Sequence, residues 1–527
     1  MKLTIPRQQL HRYAYLFGLA FLVSCLPLSK YLLSVVQFFL IANWLIEGNF
    51  RQKLHNLVQK PALLLFASLF LVYACSLIYS QNFEAGFVKV KNVLPVLVLA
   101  LIMGTSEPLS KVHTKWLFIL FSVAVSVAAL ICIAHYLTDA EQYEDDFRKI
   151  SVFMNHVVFS MMINMAITIL LYLSFYNRYP AHRIWRLVFI SAAAGLAAFL
   201  FFLGSVTGMV TFLLIILVFV VNMARAKAAV PLRNVVFILT ATAWIAPVVW
   251  LFLTYQENFN AEPPDPTQLE MVTPGGHPYT HDLLTGIQDN GHFSGIYICE
   301  PELQRQWNRI SKISYDQLDG RGQAIFGTVK RYLTSLGLRK DSVGLSMLTP
   351  HDIQKIEKGL ANYKFESKPG IRQRIYETLW EIQVLLKSGY VQRHSLGQRF
   401  AFYKTAASVI RNHMLFGVGI GDMQDAMLEE ARKSRLYVDP RWEGQPHNQY
   451  LSFLLAFGIF GFAWIFYSWV HATLLSGAFR NLLFNLFWLI MLVTMLVGDP
   501  IHSYFSVMFF AFFGCLFLAE THKKKAC

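Results

Sequence analysis

The chain has 527 residues, 55% of them hydrophobic and only 15% charged, with a formal net charge of +14. Soluble domains carry about 25% charged residues, so this composition excludes an ordinary soluble globular protein. The positive balance does not indicate a nucleic-acid partner, because it sits in short loops while the long polar stretch 255–446 is nearly balanced.

In chain order, about twelve apolar segments are expected to cross a membrane, near 13–29, 31–46, 61–79, 92–104, 116–137, 151–175, 185–203, 206–223, 235–254, 449–474, 482–497 and 503–519. No small-residue cleavage site follows the basic N-terminus (Lys2, Arg7, Arg12), which predicts an uncleaved first span. Lys and Arg collect in alternate loops: Arg51, Lys53 and Lys60; Lys111 and Lys115; Arg178, Arg183 and Arg186; Arg225, Lys227 and Arg233; Arg480; and Lys523–Lys525. The intervening loops are poor in both, and one is acidic (Asp139, Glu141, Glu144, Asp145, Asp146). That asymmetry predicts both termini in the cytoplasm and residues 255–446 outside. Cys299 is alone in the outer region, so no disulfide is expected there, and no Cys/His cluster has metal-ligand spacing.

The outer region opens as loop, rich in Pro, Gly, Asn and Asp over about 255–298, and becomes helical from Glu300. "TPHDIQKIEKGL" predicts a helix capped by Thr349, with Pro350 at its first position and Asp352 three residues after the cap. "GIRQRIYETLWEIQVLLKSG" predicts a helix with Ile371, Ile375, Leu379 and Ile382 on one face, ending at Gly389. The expected fold is an all-α polytopic membrane protein of about twelve transmembrane helices, with a large, mostly helical outer loop between spans 9 and 10. Residues 1–254 form the N-terminal bundle of about nine spans, 255–446 the loop domain, and 447–527 about three C-terminal spans.

Chemistry gathers at the end of that loop. "GQRFAFYKTAASVIRNHMLFGVGIG" reads as an amphipathic helix in which Arg399 and Tyr403 share one face and Lys404 and Arg411 another. Gly417, Gly419 and Gly421 follow; no strand precedes them, so they read as a tight turn and not as a dinucleotide or P-loop motif. "PHNQYLSFLLAFGI" then sets His447 and Asn448 at the lip of a span, and "VGDPIHSYF" puts Asp499 at the same outer face. Each is open to a bland reading, as a cap, an interface residue or a turn. The chemical reading is an imidazole base, an acid, and an arginine whose fork of donors suits phosphate.

The stretches "GQRFAFYKTAASVIRNHMLFGVGIG" and "PHNQYLSFLLAFGI" together resemble the signature of the O-antigen ligase / O-antigen polymerase superfamily. The stretch from "YICEPELQRQWNRIS" to "QRHSLGQR" is similar to a subfamily with a longer periplasmic loop. The resemblance implies a bacterial inner-membrane glycosyltransferase of lipopolysaccharide biosynthesis. It would move a glycan from a polyprenyl-pyrophosphate carrier, on the periplasmic face, to lipid A-core in a ligase or to a second carrier-linked glycan in a polymerase. It implies catalytic roles for Arg399, His447 and Asp499, with Tyr403, Lys404, Arg411 and Asn448 as substrate-binding candidates. Members commonly place a Ser-Arg pair at the outer end of a mid-chain span. Here "LGSVTG" puts Val206 after Ser205, and Arg148, with His156 further into its span, is the candidate replacement. No cofactor or metal is expected. The rival class is a flippase or transporter of lipid-linked glycans, which calls for charge at mid-span depth; the apolar segments are nearly uncharged.

Overall fold

The structure is a computed structural model, describing residues 6–138, 147–176, 183–227, 230–365, 371–388, 395–434 and 444–520. The acidic loop 139–146, Arg178, Gly389, Lys523–Lys525 and Cys527 lie outside the described residues.

Helices dominate. In order they are α1 (Arg7–Cys25), α2 (Lys30–Glu47), α3 (Phe50–Val58), α4 (Pro61–Ser76), α5 (Phe83–Thr105), α6 (Lys111–Thr138), α7 (His156–Phe175), α8 (Arg183–Phe202), α9 (Val206–Lys227) and α10 (Val230–Phe259). There follow α11 (Glu300–Ile310), α12 (Ile325–Ser335), α13 (Ser342–Ser346), α14 (Pro350–Glu357), α15 (Ile371–Ser388), α16 (Ser395–Asn412), α17 (Met423–Lys433), α18 (Gln449–Ser476), α19 (Leu482–Val497) and α20 (Tyr504–Glu520). A helix lies at each of the twelve apolar segments. Among the described residues eight are long and apolar enough to cross a membrane, and α19 and α20 are shorter apolar helices. The fourth segment is longer than 92–104: α5 begins at Phe83. Lys89 and Lys91 end the apolar run in the sequence, but lysine is a good helix former and the backbone continues through it.

Two compact units are distinguished. The first comprises Met1–Phe219, Phe402–Leu436 and Arg441–Cys527; the second Val220–Ala401 and Tyr437–Pro440. Residues 402–436, inside the expected loop domain, thus group with the first unit.

In the first unit α4 packs on α5 and α18, α5 on α20, and α7 on α6, α8 and α19. α7 is buried along nearly its whole length, which makes it the central helix. Phe66, Phe121, Phe487, Phe509, Phe510 and Phe513 interleave in tilted, edge-on and stacked pairs in the core.

α18 is broken inside its apolar run. Gly458 sits at φ 60, ψ −166, a conformation only glycine adopts readily. The break strands carbonyls on one side and N–H groups on the other, which an apolar medium would not satisfy. The turn after α16 fills it: Val418 and Gly419 donate to Leu455 O (2.8 Å) and Ala456 O (3.0 Å), while Ile459 and Phe460 donate to Met414 O (2.8 Å) and Leu415 O (3.3 Å). Backbone meets backbone so closely that a Cβ on Gly417 would stand 2.5 Å from Ala456 C, and one on Gly458 2.3 Å from Leu415 C. The glycines of "FGVGIG" therefore serve close approach. The same turn is tied to α5, since Asp422 accepts the N–H groups of Gln81 (2.8 Å) and Asn82 (2.7 Å), and Asn82 caps α5.

In the second unit α11 to α14 enclose a core of Leu303, Trp307, Val329, Tyr332, Leu333 and Ile356. The Thr349–Asp352 capping box is present. The expected loop 255–298 starts later, since α10 continues to Phe259; the rest is loop apart from a 3-10 turn, Pro266–Gln268, and a two-stranded antiparallel hairpin, β1 (Gln288–Asp289) and β2 (His292–Phe293). The helix expected at 371–388 is present as α15, and the side chain of Ile371 lies outside the described residues. Ile375, Leu379 and Ile382 are half-buried, whereas Gln383 is fully buried because its amide pairs with the Gln288 backbone (2.7 and 2.9 Å). Arg331, ion-paired with Asp289 at 2.7 Å, lies 3.5 Å over the Trp380 ring of the same helix. Cys299 is buried as a free thiol.

Candidate functional site

The lip of α18 is built from hydrogen bonds that sequence distance hides. Asn448 is its N-cap, accepting from Tyr450 N (3.0 Å) and Leu451 N (3.2 Å), and its own amide donates to Leu496 O (3.0 Å) at the end of α19. Gln449 N–H donates to Gly498 O (3.1 Å), and its side-chain oxygen accepts from Ile501 N (2.9 Å). Asp499 takes the Ser452 hydroxyl at 2.5 Å and the backbone N–H of His447. The end of α19 and the loop joining it to α20 therefore grip the start of α18 from His447 to Ser452.

That grip matters because His447 sits at φ 51, in the left-handed region that non-glycine residues avoid at a cost of about 1–3 kcal/mol. Its backbone is pinned while its side chain is exposed, with the ring 5.7 Å from Phe402 of α16. Tyr403, the next residue on α16, reaches Leu496 O at 3.4 Å. The structure thus brings His447, Asn448, Tyr403 and Asp499 together around residues 496–499.

Asp499 as a residue keeps partial exposure, but its Oδ2 is buried with no hydrogen-bond partner among the described residues. Burial pushes its carboxyl up to about 6, against the Ser452 hydroxyl, the Lys89 charge and the His447 N–H, all of which favour the ionised form. His502, in the same loop, is pushed down to about 3 by burial and then by the nearby Lys89 ammonium, so its ring is neutral at physiological pH. Its Nε2 is also buried and unpartnered among the described residues. Lys89 itself, on the extended start of α5, donates to Ile420 O at 3.2 Å. Lys89 and His502 line a cavity of about 300 Å³ together with Asn92, Gln424, Gln445 and Pro446.

Lys89, His502 and Ser452 are residues the sequence reading did not single out. Lys89 precedes the apolar run, and His502 and Ser452 lie within quoted motifs but gain meaning only through contacts with α5 and Asp499. A lysine two turns inside a helix that continues into the membrane was the available signal.

The other candidates are placed as follows. Arg399 lies on α16, half-buried, in the second unit, whereas His447 and Asp499 are in the first; the two are not brought together within one unit. Lys404 and Arg411 are exposed on α16. His156 opens α7, and a Cβ on Gly498 would stand 3.9 Å from its neighbour Val157, so this helix end adjoins the Asp499 loop. Arg148 belongs to a short 3-10 turn, Phe147–Ile150, and its side chain lies outside the described residues. Ser205 donates to Ser160 (3.2 Å) and accepts from Gly208 N (3.3 Å) as the cap of α9, while Val206 is exposed.

Residues 191–466 match the family model described as O-antigen ligase, a little over half of the chain. The matched segment runs from α8 into α18 and includes Arg399, His447 and Asn448, but stops short of Asp499. A comparison with curated proteins returns no match.

Proposed function

The chain belongs to the O-antigen ligase family, and on that premise we propose that it transfers a glycan from a polyprenyl-pyrophosphate carrier to lipid A-core on the periplasmic face of the inner membrane. Membership makes it a membrane glycosyltransferase-like enzyme of O-antigen and lipopolysaccharide biosynthesis; donor, acceptor and side are the proposal. The observation that carries it is the exposed imidazole of His447, on a pinned left-handed backbone beside the Asp499 loop.

In this reading the acceptor hydroxyl attacks the anomeric carbon of the donor glycan from the face opposite the phosphate. His447 takes the hydroxyl proton as the new C–O bond forms. The bond from the anomeric carbon to the phosphate oxygen breaks, and the carrier pyrophosphate leaves with the electron pair. The sugar is inverted. Lipid pyrophosphate is already a good leaving group, so the principal demand is for cations where charge develops. Arg399 is assigned to grip it through its fork of donors, aided by Lys404, Arg411 and Arg148. Tyr403, Asn448 and His156 are assigned to position substrate, and Asp499 to hold His447. No step is assigned to a metal. An O-antigen polymerase would use the same groups with a second carrier-linked glycan as acceptor.

The test is transfer rate and donor affinity for purified variants in nanodiscs. His447→Ala is expected to cut turnover by about 10²–10⁴-fold and leave donor affinity near wild type. Arg399→Ala is expected to weaken both donor affinity and turnover, with poor rescue by lysine, a point charge in place of a fork. Wild-type transfer by His447→Ala would reduce the histidine to a helix-end residue. Supplying lipid A-core or a second carrier-linked glycan as acceptor separates ligase from polymerase.

A further inference from the structure

We propose that the cavity between the start of α5 and the segment leading into α18 is a carbohydrate subsite that takes a sugar ring of the acceptor glycan. This rests on the transferase reading above and deepens it. Lys89 and Asn92 are three residues apart on α5 and face the same way. Gln424 of α17, Gln445 and Pro446 line the opposite side, and His502 completes the wall. At about 300 Å³ the space is at the lower end of small-molecule pockets, about 300–1,000 Å³.

The lining selects the ligand class. A pyrophosphate needs surplus positive charge. Among the described residues the single lining ammonium, Lys89, stands in the field of three carboxylates, Asp499, Asp425 and Asp422. The rest of the polar lining is three side-chain amides and an imidazole, beside the apolar Ala85, Val88, Met423 and Pro446. Each amide both donates and accepts, which matches sugar hydroxyls that do the same. The buried Nε2 of His502 has no hydrogen-bond partner among the described residues, and buried polar atoms ordinarily have one; a sugar hydroxyl, which both donates and accepts, suits either tautomer of the ring. Pro446 immediately precedes His447, so a ring held here presents its hydroxyls one residue from the base. That geometry belongs to the acceptor; the donor's anomeric oxygen is bonded to phosphate and has no hydroxyl proton for the base to remove.

The experiment measures equilibrium binding to the full chain in nanodiscs, so it does not depend on turnover. The probes are core oligosaccharide freed of lipid and phosphate, and inorganic pyrophosphate. Asn92→Ala and Gln424→Ala change partly exposed side chains, and unchanged thermal unfolding checks that they fold. Each is expected to weaken oligosaccharide binding about tenfold, the loss of one or two hydrogen bonds, and to leave pyrophosphate binding as in wild type. No binding of the oligosaccharide by wild type, no change in either variant, or weakened pyrophosphate binding with the oligosaccharide unaffected would each overturn the proposal. If instead the wild-type protein binds the oligosaccharide as expected but transfers nothing from a lipid-pyrophosphate donor, the subsite stands and the transferase reading falls.

Discussion

At the scale of single residues, Asp499 carries a conflict that can be measured. Its carboxylate accepts from Ser452 and from the His447 backbone, yet burial makes the ionised form unfavourable, and burial wins: the carboxyl titrates near 6, above the ordinary 3.8. A folded state that holds a proton more tightly than the unfolded chain loses stability as pH rises through that window. Wild-type protein in detergent is therefore expected to lose thermal stability between about pH 4 and pH 6 relative to Asp499→Asn, which has no charge to bury. Parallel curves for the two proteins across that window would show that the carboxyl is adequately solvated. His447, Asn448 and Asp499 were legible as residues because they sit in short motifs at span ends. That His447 would be strained, and that Asp499 would hold its backbone, was not legible, since the bonds between 447–452 and 496–501 join positions far apart in the chain.

The element that most changes the picture is α18. Its sequence is one uninterrupted apolar run, and hydropathy cannot distinguish a continuous helix from one broken at Gly458. The break is possible because the turn after α16 brings its own backbone groups to the gap, and that turn can approach only where both sides lack side chains. Gly458→Ala and Gly417→Ala each combine a left-handed backbone with a Cβ inside 3 Å of another backbone. Each is expected to cost at least about 3 kcal/mol, seen as a collapse of folded, monodisperse protein on heating in detergent. Gly477→Ala is the control. It shares the positive φ, but nothing stands within 4 Å of its Cβ, so it is expected to cost only about 1–2 kcal/mol. Equal losses in all three would mean that close approach across the break contributes nothing.

For the molecule as a whole, the asymmetry of Lys and Arg among the short loops predicts residues 255–446 outside and both termini in the cytoplasm. A reporter fused near Asn290 is expected to be active as alkaline phosphatase and dark as a fluorescent protein that matures only in the cytoplasm. The reverse pattern would put His447 and Asp499 on the wrong face for a periplasmic acceptor. The larger scale also redraws the domain division. A boundary placed by composition groups residues 402–436 with the polar loop, because they are less apolar than the spans. Packing groups them with the helical bundle, because α16 after Phe402, the glycine turn and α17 dock on α5, α18 and the Asp499 loop.

The sequence by itself determined the class of the protein, the positions of its apolar helices, the helical loop, the capping box at Thr349 and the family motifs. These depend on composition, local periodicity and short-range hydrogen bonds, all of which are read within a few residues. Only the tertiary structure decided that α5 carries Lys89 into a polar cavity, that α18 is two helices joined through a glycine turn, and that Gln383 is fully buried against the Gln288 backbone. Those outcomes depend on which backbone carbonyls, amides and charges become neighbours once distant segments pack, and a buried polar group is stable only where such a partner is present.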